Sequence, residues 1–111
     1  MTINKEELKN FIVKILEEKN IQNINIMKLG EEVTIANYMI FGTGRSVKNI
    51  SAIAEFLAHE LKHQQECGSN VEGLRGSDWV IIDTGPIIVH LFNEEAREHI
   101  KLEELWSKKN N

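Results

Sequence analysis

The chain has 111 residues and a mass of 12.7 kDa, so we expect residues 1–111 to form one domain around one core. Apolar residues make up 41% and charged residues 27% of the chain, which excludes a disordered or fibrous class. The 17 acids and 13 bases give a net charge of −4, and the bases are scattered. Direct sequence-specific binding of nucleic acid is therefore not expected, and a basic protein partner suits the charge better.

The cysteine content and the apolar runs predict a cytoplasmic protein. The single cysteine, Cys67, can form no internal disulfide, and no basic start followed by an apolar run indicates a signal peptide. An apolar run such as Trp79–Ile82 is far shorter than the roughly 20 residues that a membrane helix requires. We therefore expect no membrane partner.

The predicted elements follow in the order α, β, β, α, β, β, α. Thr2 is a candidate N-cap for a first helix that ends near Asn20, because apolar residues recur there at helical spacing. Between Ile21 and Gly30 the apolar period changes to two, which predicts a strand. The alternating apolar residues of that strand are Ile24, Ile26 and Leu29.

A second strand and a second helix follow. Tyr38–Phe41 is apolar at consecutive positions, as expected of a central strand with both faces covered. Gly42–Ser46 predicts a tight turn, with Ser46 as the N-cap of the next amphipathic helix. Gly68 suits the C-terminal cap of that helix, and residues 69–77 predict a polar loop.

The most apolar stretch predicts a β-hairpin. Two β-rich runs, Trp79–Asp83 and Ile87–Phe92, flank a Gly-Pro pair, which marks a chain reversal. Asn93 is the predicted N-cap of a short helix, Glu94–His99. An apolar closing turn follows, with Leu102, Leu105 and Trp106. We expect the working surface to be centred on the hairpin from Asp78 to Phe92.

The second helix carries a motif that suggests zinc chemistry. His59-Glu60-Leu61-Lys62-His63 spells HExxH, and Cys67 follows one turn later. In zinc peptidases this spacing aims two imidazoles at one metal while the glutamate activates water. A third ligand is missing from the pattern, since His90 and His99 are the only other histidines. A small zinc-dependent hydrolase is therefore the alternative function. The competing interpretation of the motif is two ordinary solvated histidines on a helix.

The turn Gly42–Ser46 could bind an anion on the N–H groups at the start of the second helix. It lacks the spacing and the lysine of a P-loop, and Val47 occupies the last glycine position of a GxGxxG fingerprint. A nucleotidyltransferase would also need two carboxylates, one residue apart on a strand, to hold Mg²⁺, and Asp83 is alone. Tight turn geometry is the favoured interpretation over a nucleotide-binding remnant.

Three hairpin side chains have both structural and functional interpretations. Asp83 and His90 flank the turn, but an acid–base pair would also need a nucleophile or an oriented third group. The simpler interpretation is a carboxylate that accepts hydrogen bonds from turn N–H groups and a histidine at a strand edge. Trp79 is either a core residue or an interface anchor, because side chains alternate between the two faces along a strand.

A series of residues runs in matched order and spacing through nearly the whole chain: Ala36–Ser46, Ile53-Ala54, Val71–Leu74, Asp78–Val80, Asp83, Gly85, Val89-His90, Glu95–Arg97 and Leu102–Trp106. With this series the chain resembles the ribosome-silencing factor family, also called Iojap. The resemblance implies an α/β fold, with a mixed β-sheet flanked by helices, similar to a nucleotidyltransferase domain without its catalytic carboxylates. It implies a protein that is not an enzyme and needs no cofactor.

The resemblance also implies a partner. Family members bind the large ribosomal subunit through the ribosomal protein numbered fourteen, at the subunit-joining face. They thereby block the small subunit and repress translation under nutrient limitation. An acidic domain suits a basic, rRNA-flanked partner surface, because the attraction speeds their encounter. An exposed apolar sheet face would also be compatible with a homodimer of the free protein.

Carried over position by position, the resemblance implies a contact surface on and beside the hairpin. Its residues are Trp79, Asp83, Thr84, Val89, His90, Phe92, Glu94 and Glu95. The two glutamates would supply charge at the rim. The sequence departs from the usual family pattern at Asn37, Thr84, Pro86 and His99. Pro86 stands where an aspartate is common, which weakens the electrostatic part of the interaction.

Overall fold

The computed structural model describes residues 4–33, 35–73 and 76–110, the last three without their side chains. Within these ranges, five strands form one sheet in the order β1-β2-β5-β4-β3. The strands are β1 (Gln22–Lys28), β2 (Tyr38–Thr43), β3 (Asn70–Glu72), β4 (Trp79–Asp83) and β5 (Ile87–Phe92). The helices are α1 (Lys5–Glu18), α2 (Val47–Gln65), α3 (Glu94–Ile100) and α4 (Leu102–Asn110).

The sheet is mixed, because β2 and β5 are parallel while the other three pairings are antiparallel. Strand β5 lies at the centre, and β2 is an inner strand beside it, with every residue of both buried. This confirms the predicted α/β class and the prediction that Tyr38–Phe41 has both faces covered. The likeness to a nucleotidyltransferase stays a prediction.

The two faces of the sheet have different coverings. The helix face packs against α1 and α2 and includes Ile40, Val80, Ile82, Val89 and Leu91. The opposite side, which we name the aromatic face, carries Phe41, Trp79, Ile81, His90 and Phe92. Ala96 of α3 and Leu102 and Trp106 of α4 pack against the hydrophobic cluster of this second face.

The first helix begins later than the sequence predicts. Its N-cap is Asn4, whose side-chain oxygen accepts hydrogen bonds from the backbone N–H groups of Glu6 at 2.7 Å and Glu7 at 3.4 Å. The predicted cap, Thr2, lies outside the described residues, and the prediction is wrong because the helix starts at Lys5. Both residues can cap, but periodicity alone does not tell which one precedes the first helical turn.

Strand β1 is shorter than predicted and carries a bulge. Its pairing with β2 shifts between Gln22 and Asn25, and Asn23 has a φ of 51°. Ile24 packs against the cluster of the helix face, as period two requires, but Ile26 is 41% exposed because β1 is an edge strand.

The segment after α2 differs from the prediction in two ways. Glu66, and not Gly68, occupies the left-handed cap position, with a φ of 51°. The predicted polar loop contains the edge strand β3, which pairs with β4 and turns only Val71 toward the cluster of the helix face. A single apolar residue cannot show the alternation that predicts a strand. Strand β3 forms because it pairs with β4. Leu74 of the predicted loop lies outside the described residues.

The chain ends in two helices where one helix and a closing turn were predicted. Asn93 caps α3, as predicted, by accepting a hydrogen bond from the N–H of Ala96 at 2.9 Å. Lys101 then adopts a φ of 52°, which breaks the helix and redirects the chain into α4. The predicted closing turn is therefore wrong, because the apolar residues after Lys101 belong to a separate helix.

Replacing Gly44 by alanine is expected to cost about 1–3 kcal/mol of unfolding free energy. A Cβ there would lie 2.2 Å from Cγ2 of Ile50, a branched side chain that is fully buried. Gly68→Ala is the matched control, because a Cβ at Gly68 has nothing within 4 Å. Urea unfolding of both variants measures the difference, and equal stabilities would contradict close packing as the reason for Gly44.

Candidate functional site

The candidate site is the aromatic face, whose rings stack across neighbouring strands. Trp79 of β4 pairs in register with Phe92 of β5, and their ring centroids are 5.8 Å apart with planes 21° from parallel. His90 stacks on Phe41 of β2 at 5.2 Å and 11°. The buried rings therefore form a rigid platform beneath Trp79, since each ring is held by the next.

Only part of this face is open. Phe41, His90 and Phe92 are 0%, 5% and 1% exposed, whereas Trp79 and Ile81 on β4 are half-buried. The open strip thus follows β4, beside the three-residue edge strand β3. A half-exposed tryptophan on a rigid, apolar support has the properties of an interface anchor.

His90 lies inside the sheet and not at a strand edge, so that prediction is wrong. It belongs to β5, which has a neighbouring strand on each side. Its Nδ1 accepts a hydrogen bond from Nε1 of Trp79 at 3.1 Å. Burial lowers the pKa of His90 to about 4, because the apolar surroundings disfavour the charged imidazolium. The side chain is therefore neutral at pH 7.

The hairpin turn has the hydrogen bonds expected from the sequence. Oδ1 of Asp83 accepts from the N–H of Gly85 at 2.8 Å, and Gly85 has a φ of 99°. Oγ1 of Thr84 donates to the carbonyl oxygen of Ile87 at 2.9 Å and accepts from its N–H at 3.2 Å. Asp83 and His90 therefore bond to different partners, which gives no support to an acid–base pair.

The remaining predicted contact residues lie in two different places. Glu94 and Glu95 are exposed in the first turn of α3, directly after the aromatic face ends at Phe92. Val89 is fully buried in the cluster of the helix face, on the side of the sheet opposite Trp79. A partner on the aromatic face cannot touch Val89, because strand residues alternate between the faces.

A polar cluster that no sequence pattern indicates joins α3 and α4 to the sheet. We name it the Arg97 clamp, and its members are Arg97, Glu103, Asn23, Asn25 and Thr43. Arg97 donates to both carboxylate oxygens of Glu103, at 2.7 and 2.9 Å. It also donates to the carbonyl oxygen of Asn23 at 2.7 Å and to Oγ1 of Thr43 at 2.9 Å. Asn25 donates to Glu103 at 2.5 Å. No helical spacing links these residues, so no local pattern could reveal the cluster.

The hydrogen bonds of the Arg97 clamp change the acidity of its carboxylate. Burial alone would raise the pKa of Glu103, but the hydrogen bonds from Arg97 and Asn25 outweigh it and hold that pKa below its usual value. The carboxylate therefore stays charged to a lower pH than an ordinary glutamate, and the ion pair with Arg97 persists with it.

Replacing Arg97 by alanine is expected to lower the unfolding free energy by about 2 kcal/mol, because it leaves a partly buried carboxylate without its partner. Arg97→Lys should recover little of that loss, since an ammonium cannot bind both carboxylate oxygens and two further acceptors in one plane. Urea unfolding measures both, with the exposed Arg45→Ala as control. A stability equal to the control would mean that the clamp contributes nothing.

The two other candidate sites receive no support. His59 and His63 are exposed on α2 with ring centroids 4.2 Å apart. Across the described ranges no group of three or more His, Cys, Asp or Glu side chains could hold a metal ion. At the start of α2, the side-chain oxygen of Asn49 accepts a hydrogen bond from the N–H of Arg45 at 3.0 Å. One of the N–H groups that could bind an anion is therefore already bonded within the chain.

The fold is a mixed α/β sheet flanked by helices, and the candidate site is the partly open aromatic face of that sheet. No helix in the described part of the chain is long and apolar enough to cross a membrane. The model of the family described as "Ribosomal silencing factor during starvation" matches residues 2–111. The chain therefore belongs to the ribosomal silencing factor family, which confirms the resemblance.

Individual relatives agree with this membership. Ribosomal silencing factor RsfS of Zymomonas mobilis is 36% identical over 101 residues, which cover 91% of this chain and 76% of that protein. Mitochondrial assembly of ribosomal large subunit protein 1 of Mus musculus is 29% identical over 102 residues, covering 88% of this chain and 44% of that protein. A crystal structure from Chromobacterium violaceum, 24% identical, has the same fold, with a TM-score of 0.88 over 95% of this chain and 88% of that one.

Proposed function

We propose that the protein binds the large ribosomal subunit at its subunit-joining face and thereby prevents association with the small subunit. Translation would fall under nutrient limitation as a result. The observation that carries the proposal is a half-exposed Trp79 on a rigid aromatic platform, in a member of a silencing family. The name of the mouse relative, which refers to assembly of the large ribosomal subunit, supports the choice of subunit.

The proposed contact surface is the open strip of the aromatic face and its rim. Trp79, Asp83 and Thr84 are half-buried and would touch the partner, while Glu94 and Glu95 would supply negative charge at the edge. His90 and Phe92 would support Trp79 from beneath. Val89 is not part of the proposed surface because of its burial on the helix face.

The proposed partner is the ribosomal protein numbered fourteen. A basic protein surface flanked by rRNA would attract this acidic chain, whose net charge is −4. Added salt should therefore slow the association by screening the charges.

The mechanism we propose is steric exclusion, which requires neither catalysis nor a cofactor. We further propose a cytoplasmic location, and a homodimer of the free protein through the same open strip.

Sedimentation of purified ribosomal subunits tests the proposal. Subunits are mixed under conditions that favour joining, with and without saturating protein, and resolved on a sucrose gradient. The expected result is a loss of the joined particle, with the protein found in the large-subunit fraction. Undiminished joining at saturating protein would overturn the proposed function.

A further inference from the structure

We propose that His90 is a positioning residue for Trp79. Its Nδ1 accepts the hydrogen bond of the indole N–H and fixes the indole in one orientation, so the partner contacts the ring while the N–H is already bonded inside the protein. This inference rests on the proposed function, in which Trp79 is the anchor. It changes the role of His90 from a contact residue to a buried support.

The imidazole can act in this way because its own orientation is fixed. The ring stacks on Phe41 at 5.2 Å and lies nearly parallel to Phe92 at 6.2 Å. It is 5% exposed and belongs to the central strand, so it has no room to rotate toward solvent. The hydrogen bond from Nε1 of Trp79 to Nδ1, at 3.1 Å, then transfers that fixed orientation to the indole.

The choice of a histidine at this position carries a cost that points to a role for Nδ1. Since Nδ1 accepts a hydrogen bond from the indole N–H, the ring proton of neutral His90 must lie on Nε2. Nε2 is buried and has no hydrogen-bond partner within the described residues. A phenylalanine would stack equally well on Phe41 without burying an unpaired N–H group. The imidazole therefore offers one thing that a phenyl ring lacks, which is the acceptor for Trp79.

The consequence for recognition is chemical. A tryptophan at an interface normally presents an apolar body together with an N–H donor that seeks an acceptor. Here the donor is already used inside the sheet, so Trp79 presents an apolar surface alone. The partner pocket that suits it is lined by apolar groups and needs no hydrogen-bond acceptor for the indole.

The first test measures the indole N–H of Trp79 by nitrogen-15 NMR in the free protein. In His90→Phe, which keeps an aromatic ring and removes the acceptor, hydrogen exchange at Trp79 should become about five- to tenfold faster. The backbone N–H of Leu57 in α2, on the other side of the sheet, is the internal reference and should not change. His90→Gln restores an acceptor oxygen and should recover part of the protection. Equal exchange rates in the original protein and in His90→Phe would overturn the proposal.

The second test is a double-mutant cycle on binding to purified large ribosomal subunits. His90→Phe should weaken binding about five- to tenfold when Trp79 is present. In a Trp79→Phe background, which has no N–H to position, the same change should have no effect. Additive effects would mean that His90 acts independently of Trp79, and would overturn the proposal.

The two tests separate this inference from the proposed function. If the original protein does not bind the large subunit, the proposed function fails, and the exchange measurement still decides whether His90 fixes the indole. If binding occurs and the cycle is additive, the proposed function stands and the positioning role fails. Circular dichroism of each variant checks that it is folded, and His90→Leu, which also lacks an acceptor, replaces His90→Phe if the latter is not folded.

Discussion

Replacing Trp79 by alanine is expected to weaken binding to the large ribosomal subunit by about 2 kcal/mol or more, which is about 30-fold in affinity. The indole is half-buried on a platform formed by Phe92 and His90, so a partner gains a large apolar area without ordering a flexible side chain. Truncation removes that area and leaves Nδ1 of His90 without its donor. Titration of labelled protein against purified subunits at one fixed salt concentration measures the change.

Phe56→Ala is the matched control for this prediction. Phe56 is 38% exposed on α2, the helix that packs against the other face of the sheet, so its loss should leave ribosome binding unchanged. Circular dichroism and thermal unfolding must show that Trp79→Ala is folded at the temperature of the titration. If the folded variant binds with undiminished affinity, Trp79 is not the anchor.

Acidification from pH 7 to pH 4.5 is expected to lower the unfolding free energy by about 2 kcal/mol through His90 alone. Its pKa is about 4 in the folded protein and 6.5 as the model value for an unfolded chain. Between these values the unfolded chain binds a proton that the folded protein does not, so stability falls as the pH falls. The contribution is fully present above pH 6.5 and is lost as the pH drops toward 4.

Urea unfolding at several pH values checks this prediction. In His90→Gln the loss that His90 causes between pH 6.5 and pH 4.5 should disappear, and His59→Gln, at an exposed position on α2, is the matched control variant. The Arg97 clamp acts at lower pH, because the pKa of Glu103 is lowered from 4.5 and its stabilisation is lost only as the pH falls below that value. An unchanged pH dependence in His90→Gln would show that His90 is not the titrating group.

The predictions that succeeded rest on patterns among neighbours in sequence. Helical spacing located the apolar faces of α1 and α2, and Ser46 and Asn93 cap α2 and α3 as predicted. The Gly-Pro pair between two β-rich runs located the hairpin, and Asp83 accepts from a turn N–H as expected. Each of these features depends on contacts within a few residues, which a local pattern encodes directly.

Two of the failed predictions concern where an element lies relative to others. The sequence predicts a strand edge for His90 and a polar loop where β3 lies, whereas the structure has His90 on the central strand and a short edge strand at Asn70–Glu72. Both depend on strand order, since β5 becomes central by pairing in parallel with β2, and β3 forms by pairing with β4. The sequence alone does not tell which sheet face a strand residue occupies. Val89 lies on the helix face, away from the proposed contact surface.

The amino-acid sequence by itself determined the α/β class, the hairpin and the family, because local periodicity and a long ordered series of residues are visible without a fold. Tertiary structure alone decided the Arg97 clamp. It joins Arg97 to Thr43 and to Asn23, which lie 54 and 74 positions away in the sequence. Tertiary structure also decided the protonation state of His90, because burial, and not residue type, sets its pKa. The physical reason is the same in both cases: desolvation and long-range hydrogen bonds arise only when distant segments pack together.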